Sequence, residues 1–173
     1  KEEWIRDHLA RHPKVVEVGF GSEITVEGRL RLVVPGQTRG VRLGQEEIAV
    51  GGNSPARSLE RYLKELARDR LAAASDHYAA QVGRSYEKLS LRDTRSRWGS
   101  CSSAGTLMYS WRLILAPQEV LSYVAAHEVA HLVEMNHSAD FWAVVAQLYG
   151  DSSAERAWLR TKGSALHRYR FGS

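Results

Sequence analysis

The stretch HEVAHLVEMNH, His127 to His137, constrains this chain more than any other, because it gathers three of the seven histidines. It also carries two glutamates. Its flanks are apolar, SYVAA before and LV after, so the run belongs on a largely buried helix. Histidines and a glutamate held there without a partner would be costly. A pentapeptide of the form HExxH arises by chance on exposed helices, but an apolar setting argues against that reading.

On a helix, residues four apart differ by about 40° in direction and about 6 Å along the axis. His127 and His131 therefore project from one face, one turn apart, where two imidazoles can grip a single ion. Glu128 stands beside the first of them and reaches toward a water rather than the ion, as the general base of an HExxH site does. A catalytic zinc needs three protein ligands and an open position, so a third ligand is required. Glu134 shares the face, but its Cα on a continued helix would sit about 10 Å along the axis from that of His127. Three ligands in a line cannot close a tetrahedron. Asn136 tolerates a left-handed C-cap and Ser138 can start a new helix, which would turn His137 back toward the other two. The expected site is thus one Zn2+ ion on His127, His131 and His137, with Glu128 as the catalytic base. Glu134 is left as a hydrogen-bond acceptor for a ligating imidazole or as a solvated side chain. The histidine spacing equals that of the metzincins, but Glu134 stands where their pattern has Gly, and that class is not assigned.

Such a site lowers the pKa of a water toward about 7 and, with Glu128 moving the proton, hydrolyses a peptide bond. The expected substrate is a protein or peptide. Other amides or esters would use the same groups.

Around this motif the chain reads as α+β. The first turns, EEWIRDHLA, suggest a short helix. KVVEVGF, EITVEG, RLRLVVPG and EEIAVGG are Val- and Ile-rich runs separated by glycines, expected as a meander of small antiparallel strands. From Asn53 a long helix follows, with Ser54 as N-cap, Pro55 in its first position, and Leu59, Leu63, Leu66 and Leu71 as its core stripe. YEKLSLRD and TLMYSWRLILA read as strands flanking the loop TRSRWGSCSSAG. Pro117 opens the motif helix, taken to run to Met135, Ser138 caps ADFWAVVAQLYG, and a last helix is expected from about Ser153 to Leu166. At 173 residues one domain over 1–173 is the default. Within it, residues 1–53 are expected to be strand-rich and residues 54–173 helical, the latter carrying the metal site.

No apolar run approaches the roughly 20 residues that span a bilayer, so no membrane partner is expected. One cysteine, Cys101, excludes an internal disulfide and favours the cytoplasm. Charge is uneven. From Leu113 to Glu155 there are six acids and no Lys or Arg, whereas Arg156 to Arg170 holds five basic residues. That tail makes nucleic acid a candidate partner, although a solvated basic helix is the commoner meaning. Nothing in the sequence sets the oligomeric state.

With SRWGSC, SWRLI, HEVAH and NHSADFW in this order, the chain resembles the YgjP-like metallopeptidase domain, related to SprT-like proteases, most strongly from Thr94 to Trp142. The resemblance implies a zincin-like fold, a small antiparallel sheet packed on the zinc helix with additional helices. It also implies zinc at His127, His131 and His137 with Glu128 catalytic. One departure is visible, since the family usually has Asn where Ser110 precedes Trp111. Two other readings remain open beside the zinc peptidase: a nucleic-acid-associated SprT-like protease, and a binding domain in which zinc is only structural.

Three further groups are ambiguous. In RWGSC, Trp98 and Cys101 with Arg92, Arg95 and Arg97 can wall a cleft, and Cys101 can approach the metal. The plainer reading is a Trp anchoring a glycine turn and a small buried thiol. TLMYS would hold an extended substrate if it formed a sheet edge. Tyr109, Arg112, Tyr123, His167 and Tyr169 are candidates for the missing oxyanion donor, each more often a packing residue. His8, His12 and His77 read as solvated helix positions.

Overall fold

The computed structural model describes residues 14–172. The helix expected over EEWIRDHLA, with His8 and His12, lies outside the described residues. His77 is exposed on its helix, as expected.

The Val- and Ile-rich runs form strands β1 (Val16–Glu17), β2 (Glu23–Val26), β3 (Arg29–Pro35) and β5 (Glu47–Val50), joined by β4 (Val41–Leu43). β2 to β5 make one sheet in the order β2-β3-β5-β4. It is not the antiparallel meander expected. β3 and β5 run parallel, with Val33 beside Ile48, because the chain leaves β3, forms β4 at the outer edge and hairpins back through Gly44 into the middle. That crossing brings the 36–40 loop against Gly51, where a Cβ would run into the Thr38 carbonyl. β1 stands apart and pairs parallel with the C-terminal β9 (Tyr169–Arg170).

The long helix α1 (Pro55–Val82) starts and stops where its sequence says, with Pro55 in the first turn and Gly83 closing it in the left-handed conformation at φ 65°. Ser54 occupies the N-cap position but its hydroxyl makes no capping bond. Leu59, Leu63 and Leu71 are wholly buried and Leu66 half-buried. Each full burial is worth roughly 1.5–3 kcal/mol, which fixes α1 as the floor of the core.

After residue 53 the two expected strands form as β6 (Lys88–Arg92) and β8 (Thr106–Ser110), and with β7 (Gly99–Cys101) they make a second sheet in the order β6-β8-β7. β6 and β8 are parallel while β7 and β8 are antiparallel, so this sheet is mixed rather than antiparallel. β7 lies inside the stretch expected to be a loop. The strand expected to continue through SWRLILA stops at Ser110, and Trp111–Leu115 winds into a 3-10 turn. Five consecutive buried residues cannot alternate in and out as a strand requires. The turn lets all of them face the core. Its carbonyls at Ile114 and Leu115 accept from the Glu27 and Gly28 amides of the β2–β3 hairpin, at 2.7 and 3.4 Å.

Three helices complete the chain: α2 (Gln118–Ala130), α3 (Ala139–Leu148) and α4 (Ser153–Lys162), the last followed by a 3-10 turn over Gly163–Arg168. Ser138 caps α3 as expected, accepting from Phe141 N at 3.3 Å. α2 packs on α1, α3, α4 and β7. The outcome is α+β, a small sheet against the histidine-bearing helix with further helices around it.

Candidate metal centre

α2 is almost entirely interior, with Val120, Leu121, Val124, Ala125, Ala126, Val129 and Ala130 buried. His127 therefore emerges into a half-buried space and His131 into a buried one. The helix ends at Ala130, five residues short of Met135. His131, Leu132 and Val133 each bond back three residues, the tighter winding that ends many helices. Asn136 does not take a left-handed conformation. Among the described residues Glu27 is the only non-glycine with positive φ. The reversal comes from this tightened turn and the capped start of α3.

The turn brings His137 back. One ligand-capable atom from each of His127, His131 and His137 lies within 4.8 Å of the others, and the Nε2 atoms of His131 and His137 are 3.1 Å apart. Two nitrogens about 2.05 Å from one tetrahedral ion would be separated by about 3.3 Å. Among the described residues no Cys, Asp or Glu joins the three as a fourth donor.

The far nitrogens of two rings are occupied. Tyr123, one turn before His127, places its hydroxyl 3.1 Å from His127 Nδ1. Nδ1 of His131 lies 3.0 Å from the main-chain carbonyl of Glu134. With Nδ1 protonated and donating in each ring, Nε2 carries the lone pair an ion needs. The acceptor for His131 is thus the main-chain carbonyl of residue 134, not the Glu134 carboxylate that the sequence suggested. Phe141 stacks on His131 at 4.3 Å, and Trp142 lies 5.7 Å from His127 and 6.3 Å from His137. Burial first, then the other two histidines and Arg156, pushes His127 down to about 4. Burial also lowers His131. Neutral imidazoles with free Nε2 lone pairs suit a borderline-soft cation.

Glu128, the residue after His127, packs against β7 at Gly99. It is 5% exposed, and burial raises its carboxyl to about 8, opposed by the charge of Arg97. Room for it exists because residue 99 is Gly. A Cβ there would stand 2.9 Å from Glu128 Cγ and 3.0 Å from Oε2. Cys101, two residues on, is half-buried and outside the histidine group. Burial, then Glu128, pushes its thiol up to about 11, the opposite of an activated thiolate.

The oxyanion candidates sort differently. Tyr109 is wholly buried, its hydroxyl 2.9 Å from Ser75 Oγ. Arg112 is buried and binds Asp93 at 2.8 Å and the carbonyls of Leu166 and Tyr169 at 2.9 and 3.0 Å. Tyr169 bonds Thr25 and Arg168. His167 stacks on Trp98 at 5.5 Å, and Gly163 also lies against that indole, so Trp98 is anchored by the C-terminal turn. Of the five, Tyr123 alone touches the site, through His127 rather than facing a reacting oxygen. Helical spacing, four residues before His127, is the sequence signal for that role. Arg97 and Gly99 belong to the loop read as a possible cleft wall, and Arg92, Arg97 and Cys101 do line one cleft, but nothing in the sequence sets Gly99 against Glu128.

TLMYS is the central strand of its sheet, so no substrate pairs there. The edges are β6 and β7. Trp98 O accepts from Ser110 N, and Ser102 N donates to Thr106 O. By alternation the amides and carbonyls of Gly99 and Cys101 face away from β8. The basic tail is partly engaged, with Arg156 over the Trp142 ring at 4.9 Å and Arg170 3.7 Å from Glu17.

A family model for the YgjP-like metallopeptidase domain matches residues 1–162. Among solved structures, the metallopeptidase zymogen of Pyrococcus abyssi abylysin is similar at 23% identity and a TM-score of 0.43. The likeness covers 54% of this chain and 90% of that one. No curated protein matches the chain. Among the described residues no helix is long and apolar enough to cross a membrane.

Proposed function

This chain belongs to the YgjP-like metallopeptidase domain family, and from that premise we propose that it is a zinc-dependent peptidase acting on protein or peptide substrates. His127, His131 and His137 hold one Zn2+ ion and Glu128 is the catalytic base. The proposed domain is single and spans 1–173, with 54–173 carrying the site and 1–53 forming the strand-rich segment. A lone free thiol, Cys101, favours the cytoplasm.

The observation that carries the reading is the three-histidine group without a fourth protein donor among the described residues, beside a buried glutamate. A purely structural zinc takes four protein ligands, which speaks against the scaffolding alternative. Bound there, zinc would supply Lewis-acid chemistry, a more acidic water and a polarised carbonyl.

The chain's own residues do the rest. Tyr123 and the Glu134 carbonyl hold the two helical imidazoles in the tautomer that presents Nε2. An extended substrate lies along β7, whose outward amides and carbonyls accept a new strand. Glu128 takes a proton from the attacking water and returns it to the leaving amine. One carboxyl can act first as base and then as acid within a single cycle.

Metal analysis combined with Glu128→Gln tests the reading. The expected result is one zinc per chain in both proteins, cleavage of an unfolded protein by the wild type, and a loss of kcat on the order of 10²–10⁴ in the variant. Zinc-loaded wild type that cleaves no unfolded protein, or a variant of undiminished rate, would overturn it.

A further inference from the structure

α1 carries cations at Arg57, Arg61, Lys64 and Arg68, spaced four, three and four residues apart. On a helix these directions fall within about 60° of one another, so the four form one stripe, and all are exposed. A core-facing stripe of leucines explains the opposite face of α1. Nothing in the peptidase site uses this one.

The stripe does not end at the helix. Arg61 lines a cleft with Arg39, Ser58 and Tyr62 at the rim of the first sheet. It also lines a second cleft with Lys64, Arg68 and Arg92. Arg92 in turn opens a third, over the outer face of the second sheet, with Thr94, Arg97 and Ser100. Three concave segments thus join end to end through shared arginines. Their far end reaches Arg97, the residue whose charge acts on Glu128.

Among the described residues these cations are largely uncompensated. Lys64 pairs with Glu60 at 3.0 Å, and Asp93 is taken by Arg112. Arg39, Arg61, Arg68, Arg92 and Arg97 make no ion pair with any described residue. Glu65 is the remaining acid in the track. Along α1 the stripe steps by about 4.5–6 Å.

We propose that the track from Arg39 through Arg61, Lys64, Arg68 and Arg92 to Arg97 binds the phosphate backbone of a single-stranded nucleic acid. Five of its six cations are arginines, whose planar forks meet phosphate oxygens in pairs. Hydroxyls at Ser58, Thr94 and Ser100 add donors, and half-buried Tyr62 offers a ring on which a base can stack. A concave, segmented path favours a flexible strand over a rigid duplex. The inference stands independently of the peptidase reading, since Glu128→Gln leaves the track intact.

The test is fluorescence anisotropy of a labelled oligothymidylate against salt, using the full chain. Binding at low salt with a log–log slope of about −3 to −4 is expected for these five arginines on a single strand. Arg61→Glu with Arg68→Glu should weaken binding by tenfold or more. Arg61→Lys with Arg68→Lys should retain most of it, and thermal melting and zinc content should be unchanged in both. Absence of salt-dependent binding, equal affinity in the charge-reversed protein, or tighter binding of duplex DNA or polyglutamate would each overturn the proposal.

Discussion

Gly99 and Glu128 sit so close that a Cβ on residue 99 would stand 2.9 Å from Glu128 Cγ. The edge strand and the metal-site helix are thereby fitted to each other at the carboxylate. Gly99→Ala should push Glu128 aside while leaving the histidines untouched. A displacement of about 1 Å costs a rate on the order of 10². The expected outcome is a fall in kcat with zinc content unchanged, read by steady-state kinetics and metal analysis. Equal kcat would mean that Glu128 has room to move.

Tyr123 acts on the site through His127. Tyr123→Phe keeps the ring and removes the hydroxyl 3.1 Å from Nδ1. Loss of such a partner typically lowers metal affinity about 10- to 100-fold. Competition with a chromophoric chelator measures this, and unaltered affinity would show that the hydroxyl does not hold the imidazole.

Arg112 ties the second sheet to the C-terminal turn. Its guanidinium satisfies Asp93 and two carbonyls and lies 4.9 Å from the Trp111 ring. Arg112→Ala strands those acceptors in a mostly buried place. Asp93 is itself 47% exposed, so the loss is set at roughly 2–3 kcal/mol of stability. Urea denaturation measures it. A change below about 0.5 kcal/mol, the level of an ordinary surface substitution, would contradict the buried-hub role.

The metal-free protein should carry a pH signature from Glu128. Its folded pKa, about 8, lies above the ordinary 4.5 because burial penalises the charged form. The folded state therefore binds the proton more tightly than the unfolded one, and the associated stability is fully present below about pH 4.5. It is lost as pH rises through about 8. Urea melts of chelator-treated wild type and Glu128→Gln should diverge across that window, with the wild type losing stability relative to the variant. Parallel curves would mean that the carboxyl is solvated.

Much of the candidate site is legible in the sequence. His127 and His131 are one turn apart by helical arithmetic, and Ser138 is a cap by composition. His137 does come beside the other two, where a third ligand off the helix axis would stand, but the local reason differs from the one its neighbours suggest. Asn136 takes no left-handed cap, and the reversal comes from three-residue hydrogen bonds that tighten the chain after Ala130. Such tightening has no residue signature, because the same amides can bond three or four residues back. The strand read through SWRLILA fails similarly. Its apolar run is plain in the sequence, but whether five consecutive buried residues extend or coil depends on what surrounds them.

Local chemistry in the sequence determined what needs only neighbours along the chain. It set the span and leucine face of α1, the pairing of His127 with His131, the glutamate beside them and the capped start of α3. Tertiary structure decided what depends on residues far apart. It placed β5 between β3 and β4, put TLMYS in the middle of its sheet with β6 and β7 at the edges, set Gly99 against Glu128 and brought the Glu134 carbonyl to His131. Helical periodicity acts over a few residues and is written there. Strand order, edges and steric fit arise when distant segments compete for one core, and packing settles that competition.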